Sequence, residues 1–368
     1  MWSSCGDARP RSRGEDVVSS AQETGSLFDD DRFMRETEPF RRELRAHCYR
    51  MLGSVEEAED VLQETYLRAW RSYGRFEGRS SVRVWLYRIA TNACLTALQH
   101  GERRMLPSSL AAPSESPDTD AGAAGPQVGW LGPIPDALIT PESENPSAIA
   151  ATRASVRLAM IASLQHLPSR QRAVLILRDV LDVPAAEVAQ MLDMSAAAVK
   201  SALQRARTRI EQVAPQAEEL AEPTEAKALA LLDQYIAAFE QADLALLERA
   251  LRTDAALEMT SSGTWFAGNR NCLRFIRRFL GSPGVYRMLP TRANGQPAAA
   301  AYRRNESGVH EAFALVVLTI TTTGIARITL FSDLRLFATF GFPMLQRPIS
   351  TRAQPGARRA PDDGAALS

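Results

Sequence analysis

Apolar residues recur at helical spacing in two separate stretches of the chain. Over residues 33–104, and again over residues 153–213, they return every three or four positions, which predicts two compact all-α units. Within the second stretch, Pro168 and Pro184 predict breaks between shorter helices. The pattern therefore indicates helical units on either side of an interruption.

A third stretch, from about Thr224 to Pro343, has a mixed pattern. Helical spacing predicts helices over Ala226–Gln241, Leu244–Leu251 and Asn271–Leu280. The strand-like segments are Ala255–Thr260, Ala298–Arg303, Glu311–Thr321 and Ile325–Leu336. The expected fold class is therefore multidomain, with two all-α units followed by one α+β unit.

The segment between the helical units has a different composition. Residues 105–152 contain no Lys or Arg, six acidic residues and eight prolines, which is typical of an extended linker. Within it, Trp130–Ile139 is too apolar for a simple spacer, so we expect it to dock on a domain. The predicted division of the chain is a disordered tail (1–30), a first helical unit (31–104), an acidic Pro-rich linker (105–152), a second helical unit (153–215), an α+β C-terminal domain (224–345) and a disordered tail (346–368).

Composition excludes several classes of protein. The chain is 45% hydrophobic and 23% charged, as globular domains are, and no run approaches the roughly 18 apolar residues that a membrane span needs. The N-terminus has no secretory signal pattern. Its four cysteines are scattered, which argues against a zinc site or a disulfide framework and for a reducing cytoplasm.

Charge is balanced overall but segregated along the chain. Lys and Arg total 43, as do Asp and Glu, which taken alone argues against a uniformly basic nucleic-acid binder. Residues 35–64 hold five arginines and eight acids, a net charge of −3, whereas residues 65–104 hold eight arginines and two acids, a net charge of +6. The first unit is therefore expected to present an acidic face to a basic partner and a basic face to nucleic acid.

The most specific local pattern lies in residues 184–207. A short helix is expected to end near Leu192, Asp193 to occupy the turn, and Ser195 to cap the next helix. The apolar face of that helix consists of Val199, Leu203, Ala206 and Ile210. A helix with one small apolar face and one polar, cationic face fits the major groove of DNA, so this pattern predicts a helix-turn-helix.

Two helices of the first unit have surfaces of contrasting chemistry. In Val55–Tyr73 the face expected to be buried consists of Ala58, Val61, Leu62, Thr65, Tyr66, Ala69, Trp70 and Tyr73. In Ser80–Gln99 the face expected to be exposed consists of Arg83, Tyr87, Arg88, Thr91 and Asn92, with Trp85 in the core. Cations beside aromatic and amide groups suit single-stranded DNA.

These residues carry a family resemblance. Ala58–Trp70 and Arg75–Leu95 resemble domain two of the extracytoplasmic-function (ECF) RNA polymerase sigma factors, and Leu167–Asp179 with the helix-turn-helix resembles their domain four. The resemblance implies a non-catalytic subunit without cofactor or metal, located in the cytoplasm with the nucleoid. Such a subunit binds RNA polymerase core, directs it to promoters and promotes DNA melting.

The resemblance also implies binding sites. The residues expected to contact core polymerase, at the clamp of its largest catalytic subunit, are Glu57, Asp60, Val61, Leu62, Gln63, Glu64, Tyr66, Leu67 and Arg68. Those expected to read the −10 element are Arg79, Arg83, Tyr87, Arg88, Thr91 and Asn92. Those expected to read the −35 element, beside the flap of the second subunit, are Glu187, Val188, Ser195, Ala197, Ala198, Lys200, Ser201, Gln204, Arg205, Arg207 and Thr208.

The C-terminal domain is similar to a SnoaL-like (NTF2-like) cone, an appendage that a group of ECF sigma factors carries. The resemblance implies that it modulates activity, with an anti-sigma factor or a small ligand as a further candidate partner. The polar candidates for a pocket in the cone are Asp254, Glu258, Tyr302, His310 and Asp333. They show no evident acid–base pair.

Two alternatives remain open at this point. A helix-turn-helix repressor with a ligand-sensing domain would bind duplex DNA without polymerase, but it leaves the acidic and basic faces of the first unit unexplained. A cyclase or isomerase with a DNA-binding extension would need a paired acid and base inside the cone.

Overall fold

The computed structural model describes residues 31–100, 104–118, 129–140, 146–213 and 223–346. The tail predicted over residues 1–30, and nearly all of the tail predicted over residues 346–368, lie outside the described residues. Within the described part of the chain, no helix has both the length and the apolar character that crossing a membrane requires.

The first helical unit consists of four helices around an apolar core. They are α1 over residues 31–37, α2 (Arg41–Leu52), α3 (Val55–Tyr73) and α4 (Val82–His100), with a 3-10 turn at Glu38–Phe40. Gly53 ends α2 in the left-handed conformation, and the Ser54 hydroxyl caps α3 by accepting from the Glu57 N–H at 3.3 Å. These adjacent end and start signals make the sharp corner between the two helices.

The second helical unit packs α8 and α10 together and carries the predicted break points. Its helices are α6 (Pro146–Val156), α7 (Leu158–Gln165), α8 (Ser169–Leu175), α9 (Ala185–Leu192) and α10 (Ala196–Val213), with a π-helical turn at Ile176–Val180 after α8. Pro168 and Pro184 directly precede α8 and α9. Helix α6 reaches back into the segment predicted as linker, since a proline is well tolerated in the first turn of a helix.

The C-terminal domain is α+β, as predicted. Its helices are α11 (Glu225–Glu240), α12 (Leu244–Ala250), α13 (Asn269–Leu280) and α14 (Arg335–Thr339). Its strands are β1 (Leu251–Met259), β2 (Thr264–Ala267), β3 (Tyr286–Ala293), β4 (Gln296–Arg304), β5 (His310–Thr321), β6 (Gly324–Phe331) and β7 (Leu345–Gln346). The sheet order is β2-β1-β6-β5-β4-β3, with β7 on β5 and only the β1–β6 pair parallel among the paired strands.

Two details of this domain differ from the prediction. Strands β2, β3 and the two-residue β7 were not predicted from the hydrophobic pattern. The strand predicted over Ile325–Leu336 stops at Phe331, because the Asp333 carboxylate accepts from the Arg335 N–H at 3.1 Å and starts α14.

The sheet has an inner and an outer face with different partners. The inner face packs on α11, α12 and α13, where Tyr235, Phe266 and Phe275 fill the interior of the cone. The outer face belongs to the same apolar cluster as both helical units. Along β4 the alternation is direct, since Ala299 and Ala301 lie in the inner cluster and Ala298 and Ala300 in the shared one.

The linker follows the surface between these bodies. A 3-10 turn at Pro107–Ser109 contacts β1 and β2, and the short helix α5 (Asp136–Ile139) packs on α2. Leu131 and Ile134 are fully buried. The docking predicted for the Trp130–Ile139 segment is therefore confirmed.

Candidate nucleic-acid interface

Helices α9 and α10 form the predicted helix-turn-helix. Asp193 adopts the left-handed conformation at φ 52° between the two helices, which an aspartate tolerates better than most residues. The Ser195 hydroxyl accepts from the Ala198 N–H at 3.1 Å, which confirms the predicted cap. Val199, Ala202 and Ala206 are buried against the rest of the unit, so the opposite face of α10 points outward.

Most of the predicted −35 residues lie on that outward face. The exposed ones are Ser195, Ala197, Lys200, Ser201, Gln204, Arg205, Arg207 and Thr208, while Glu187 and Ala198 are half-buried. Val188 is fully buried. Its apolar side chain on the inner face of α9 completes the core of the unit, so Val188 does not lie on the outward face with the others.

Two arginines of α10 are held in place by neighbours. Arg205 donates to the Ser201 hydroxyl at 2.6 Å, one turn earlier on the same helix. Arg207 forms a two-pronged ion pair with Asp179, with N–O distances of 2.7 and 2.9 Å. Both guanidinium groups therefore stay on the outward face of α10.

Helix α4 presents a smaller basic surface than the sequence predicted. Tyr87 and Thr91 are fully buried, so the expectation that they face solvent is wrong. The Thr91 hydroxyl donates to the Tyr87 carbonyl at 2.6 Å and lies 2.9 Å from the His47 ring nitrogen Nε2. The Tyr87 ring meets the His47 ring edge to face. Both residues belong to a polar layer inside the first unit, covered by α2.

His47 is a buried neutral histidine in this layer. Burial, with the positive charge of Arg50 nearby, lowers the pKa of His47 to about 3. Its Nδ1 has no hydrogen-bond partner among the residues that the structure describes. The ring therefore has no group that would stabilise a second proton.

Four of the predicted −10 residues remain accessible on the first unit. Arg79, Arg88 and Asn92 are exposed, and Arg83 is half-buried. Arg83 forms an ion pair with Glu43 at 2.9 Å and lies over the Tyr87 ring at 5.0 Å from its centre. Trp85 packs on Tyr73 and Phe76, as its predicted core position requires.

The two helical units that carry the candidate DNA-reading surfaces touch each other. The Asn92 side-chain amide donates to the Met191 carbonyl of α9 at 3.4 Å, and α4 packs on both α8 and α9. Arg172 of α8 is buried and donates to the Met51 carbonyl of α2 and to Gln165 Oε1, the latter at 2.7 Å. The two helical units thus form one closed body.

The acidic helix α3 keeps its outward face open. Asp60, Gln63, Leu67 and Arg68 are exposed, while Glu57, Val61 and Glu64 are half-buried. Leu62 is fully buried and Tyr66 nearly so, with its hydroxyl donating to the Thr37 carbonyl at 3.0 Å. Both side chains complete the core of the first unit, and Tyr66 also borders a surface groove beside Leu67, so their contact with core polymerase stays a prediction.

Trp70 also differs from the prediction. The sequence placed it on the buried face of α3, but half of its surface is exposed, as is half of Leu67. Both line a shallow apolar groove with Phe33 and Met34 of α1. An exposed apolar groove beside acidic side chains is typical of a protein-binding surface.

A hairpin of the C-terminal domain joins all the parts. The β3–β4 turn, Asn294-Gly295, is a two-residue hairpin with both φ angles positive. The fully buried Asn294 side chain accepts from the Ile134 N–H of the linker at 3.0 Å. It donates to Tyr49 Oη of α2 at 2.7 Å and to the Val156 carbonyl of α6 at 2.6 Å. We call this arrangement the Asn294 junction.

Neighbouring contacts extend the Asn294 junction. The Asp136 carboxylate accepts from the Gly295 N–H at 2.7 Å and pairs with Arg292 at 3.2 Å. Gln296 Oε1 accepts from the Leu158 N–H of α7 at 3.0 Å. The Asn-Gly dipeptide could have predicted the hairpin from sequence, but nothing local in it signals that the turn is buried between domains.

The polar residues proposed for the cone bond to different partners, although Asp254 and Glu258 line one cavity. Asp254 pairs with Arg252 at 2.6 Å, and hydrogen bonds from Arg252 hold the pKa of Asp254 below its ordinary value. Asp333 pairs in the same way with Arg335, Tyr302 donates to the Pro343 carbonyl, and His310 contacts the Gly284 carbonyl. These separate partners leave the five residues without a shared acid–base site.

The buried carboxylate Glu258 lies outside the cone interior. It forms an ion pair with Arg327 on the outer face of the sheet. Both line a cavity of about 510 Å³ between that face, the linker turn at Ser108 and His166 at the end of α7. This cavity is a feature of the boundary between domains.

Comparison with known proteins supports the same reading. Residues 37–104 match the family Sigma-70 region 2, and residues 157–210 match Sigma-70, region 4. The ECF RNA polymerase sigma factor SigG of Mycobacterium tuberculosis is 46% identical over 334 residues, which cover 89% of each chain. The crystal structure of M. tuberculosis ECF sigma factor SigJ has a similar fold, with a TM-score of 0.53 at 21% identity, over 84% of this chain and 99% of that one.

Proposed function

The chain belongs to the ECF family of RNA polymerase sigma factors, and from this premise we propose that its C-terminal domain holds the two DNA-reading units in a closed, inactive arrangement. As a member of this family the chain is a non-catalytic subunit of transcription initiation, which binds RNA polymerase core and promoter DNA. The proposal concerns how that activity is controlled and which residues carry it.

The contact between Asn92 and Met191 is the observation that carries the proposal. The −10 and −35 elements are named for positions about 25 base pairs apart, which is about 85 Å of duplex at 3.4 Å per step. In this structure the units that carry the two candidate reading surfaces are in direct contact, with Asn92 of α4 hydrogen-bonded to Met191 of α9. They cannot contact both elements at once, so the units must separate before the promoter is bound.

Core binding does not require that separation. The outward face of α3 is exposed in the closed form, including Asp60, Gln63, Leu67 and Trp70. We assign the contact with the clamp of the largest catalytic subunit to this face. Polymerase can then engage the closed chain through α3 before the DNA-reading surfaces are free.

Promoter recognition is assigned to the exposed parts of both units. Arg79, Arg83, Arg88 and Asn92 would hold the melted −10 strand, with guanidinium groups on its phosphates and the amide on a base. The outward face of α10, from Ser195 to Thr208, would read the −35 element as duplex in the major groove.

The Asn294 junction is the proposed lock. Replacing Asn294 with glycine keeps the positive φ of the turn but removes three hydrogen bonds, one each to α2, the linker and α6. The loss should favour the open form by about 2 kcal/mol, roughly 30-fold in the ratio of open to closed chain. The variant should therefore initiate more transcripts than the wild type.

Run-off transcription with core polymerase tests the lock. The matched control is Asn305→Gly, in the β4–β5 turn, because within the described ranges Asn305 bonds to Val309, Gly308 and Glu311 of its own hairpin. We expect Asn294→Gly to raise initiation and the control to leave it unchanged. Equal or lower initiation by Asn294→Gly, with core binding intact, would contradict the proposal.

A truncated chain ending near Gln216 tests independently whether the C-terminal domain inhibits or activates initiation. Without the C-terminal domain, the two helical units lose the outer sheet face that shares their core. If this chain binds core and initiates more than the full chain, the domain is inhibitory. If it binds core but initiates less, the domain activates and the lock is wrong.

A further inference from the structure

Helix α13 carries a row of arginines on its outer face. Its inner face buries Cys272, Leu273, Phe275 and Ile276 in the cone. The exposed arginines are Arg270, Arg274, Arg277 and Arg278. At a rise of about 1.5 Å per residue they span about 12 Å along one side of the helix.

The sequence around these arginines contains no acidic residue that could neutralise their charge. From Met259 to Asn305 the chain contains no Asp or Glu. The arginines of this stretch are Arg270, Arg274, Arg277, Arg278, Arg287, Arg292, Arg303 and Arg304. In a chain whose net charge is zero, this is a strong local excess of positive charge.

The acidic linker lies across this helix in the closed form. The Asp118 carboxylate pairs with Arg274, and the Pro117 carbonyl accepts from Arg278 at 3.2 Å. Just upstream, the Ser114 N–H donates to the Trp265 carbonyl at 2.8 Å, and the Trp265 indole donates to the Ala111 carbonyl at 2.7 Å. Both partners in the Asp118–Arg274 pair are more than half exposed, so the contact is a weak, replaceable one.

We propose that the arginine face of α13 binds the phosphate backbone of promoter DNA, and that the linker carboxylates occupy it until the chain opens. A guanidinium group binds a carboxylate and a phosphate with the same planar arrangement of donors, so Asp118 is the chemical counterpart of a phosphate. Arg270 and Arg277 have no ion-pair partner within the described residues. Backbone contacts of this kind add affinity without reading sequence.

The test is the salt dependence of promoter binding by the holoenzyme. Core polymerase with the full chain is titrated with a fluorescent promoter duplex between about 50 and 200 mM KCl. Each phosphate contact contributes about 0.9 to the slope of log affinity against log salt concentration. The double variant Arg274→Glu with Arg277→Glu should therefore flatten the slope by about 2 and weaken binding at low salt by roughly tenfold or more.

A matched control variant distinguishes an effect of the α13 arginines from an effect of the total charge of the protein. Arg303→Glu with Arg304→Glu removes the same charge from the end of β4, where Glu306 and Glu311 already lie beside both arginines. The control should keep the wild-type slope. A milder pair, Arg274→Gln with Arg277→Gln, should give about the same loss of slope if the reversed pair proves unstable.

Two results would overturn the inference. The first is a slope for the α13 variants equal to that of the control. The second is a loss of affinity for core polymerase in the absence of DNA, which would assign the face to a protein contact instead. Failure of the proposed lock would leave this result unchanged, because the slope is measured on the assembled holoenzyme.

Discussion

The two faces of the C-terminal sheet are built from different chemistry. Successive residues of β5 point to opposite faces, since Val316 belongs to the inner cluster and Val317 to the cluster shared with the helical units. The inner face buries aromatic and aliphatic side chains. The outer face also buries Glu258, Asn294 and Gln296.

The contrast bears on where the proposed opening would occur. Separating two apolar faces exposes hydrophobic surface at roughly 25 cal/mol per Å². Amide and carboxylate groups at the outer boundary exchange protein hydrogen bonds for water at a small net cost. The inner face is therefore the core of the domain itself. The outer face, which combines apolar contacts with these polar groups, is the boundary at which the proposed opening would occur.

The largest expected effect comes from substituting two buried phenylalanines, one on each face of the C-terminal sheet. Phe266 packs on Phe275 inside the cone, and Phe337 of α14 packs on Tyr302 in the shared cluster. Each substitution to alanine should cost about 3–5 kcal/mol of unfolding free energy. We expect only Phe337→Ala to raise run-off initiation, because α14 also reaches α3 through the Arg335–Glu56 pair.

Urea titration followed by circular dichroism supplies the stability readout for both variants. Phe266→Ala should lower the unfolding midpoint while its initiation in the absence of urea stays near that of the wild type. Equal initiation by the two folded variants would erase the functional distinction between the faces.

The sequence predicted much of this arrangement, because its signals are local. Ser195, Asp193 and the apolar face of α10 define the helix-turn-helix by capping and periodicity. The apolar composition of Trp130–Ile139 predicted that this segment docks, but not the surface on which it docks. The run Ala298–Ala301 is apolar at every position, as strands buried on both faces are.

Other features depend on long-range packing that no local pattern encodes. Tyr87 and Thr91 lie at the edge of the apolar stripe of α4, and only the placement of α2 decides that they are buried. Trp70 shows the converse, since helical spacing placed it inside while half of its surface is exposed. Asn294 could be assigned to a hairpin but not to a junction of three segments.

An intermediate effect is expected at the ion pair of the outer boundary. Asp136 is nearly buried and bonds to Arg292 and to the Gly295 N–H. Asp136→Asn keeps one acceptor but loses the charge, which should favour the open form by about 1.5 kcal/mol, roughly tenfold. Run-off initiation should rise accordingly.

The control for that variant is an exposed carboxylate of the same domain. Asp254 pairs with Arg252 near the surface, and such pairs contribute little to stability. Asp254→Asn should leave initiation unchanged. If both substitutions raise initiation alike, general charge and not the boundary would be responsible.

The smallest expected effect is a pH dependence confined to the helical side. His47 has a folded-state pKa of about 3 because burial and Arg50 disfavour its charged form, against about 6.5 when unfolded. The unfolded chain therefore binds the proton first, so stability is fully present above pH 6.5 and falls as the pH decreases toward 3. Between pH 7 and pH 5.5 the loss should be about 1 kcal/mol.

Urea unfolding of the full chain at the two pH values measures this loss. His47→Gln, which can keep a hydrogen bond to Thr91, should remove it, whereas His310→Gln at the end of β5 should retain it. The inner cluster consists of apolar side chains together with Tyr235 and Cys272, whose pKa values burial raises. Both side chains stay neutral between pH 7 and pH 5.5, so acid should destabilise the helical units before the cone. A pH dependence of stability that survives His47→Gln would show that another group is responsible.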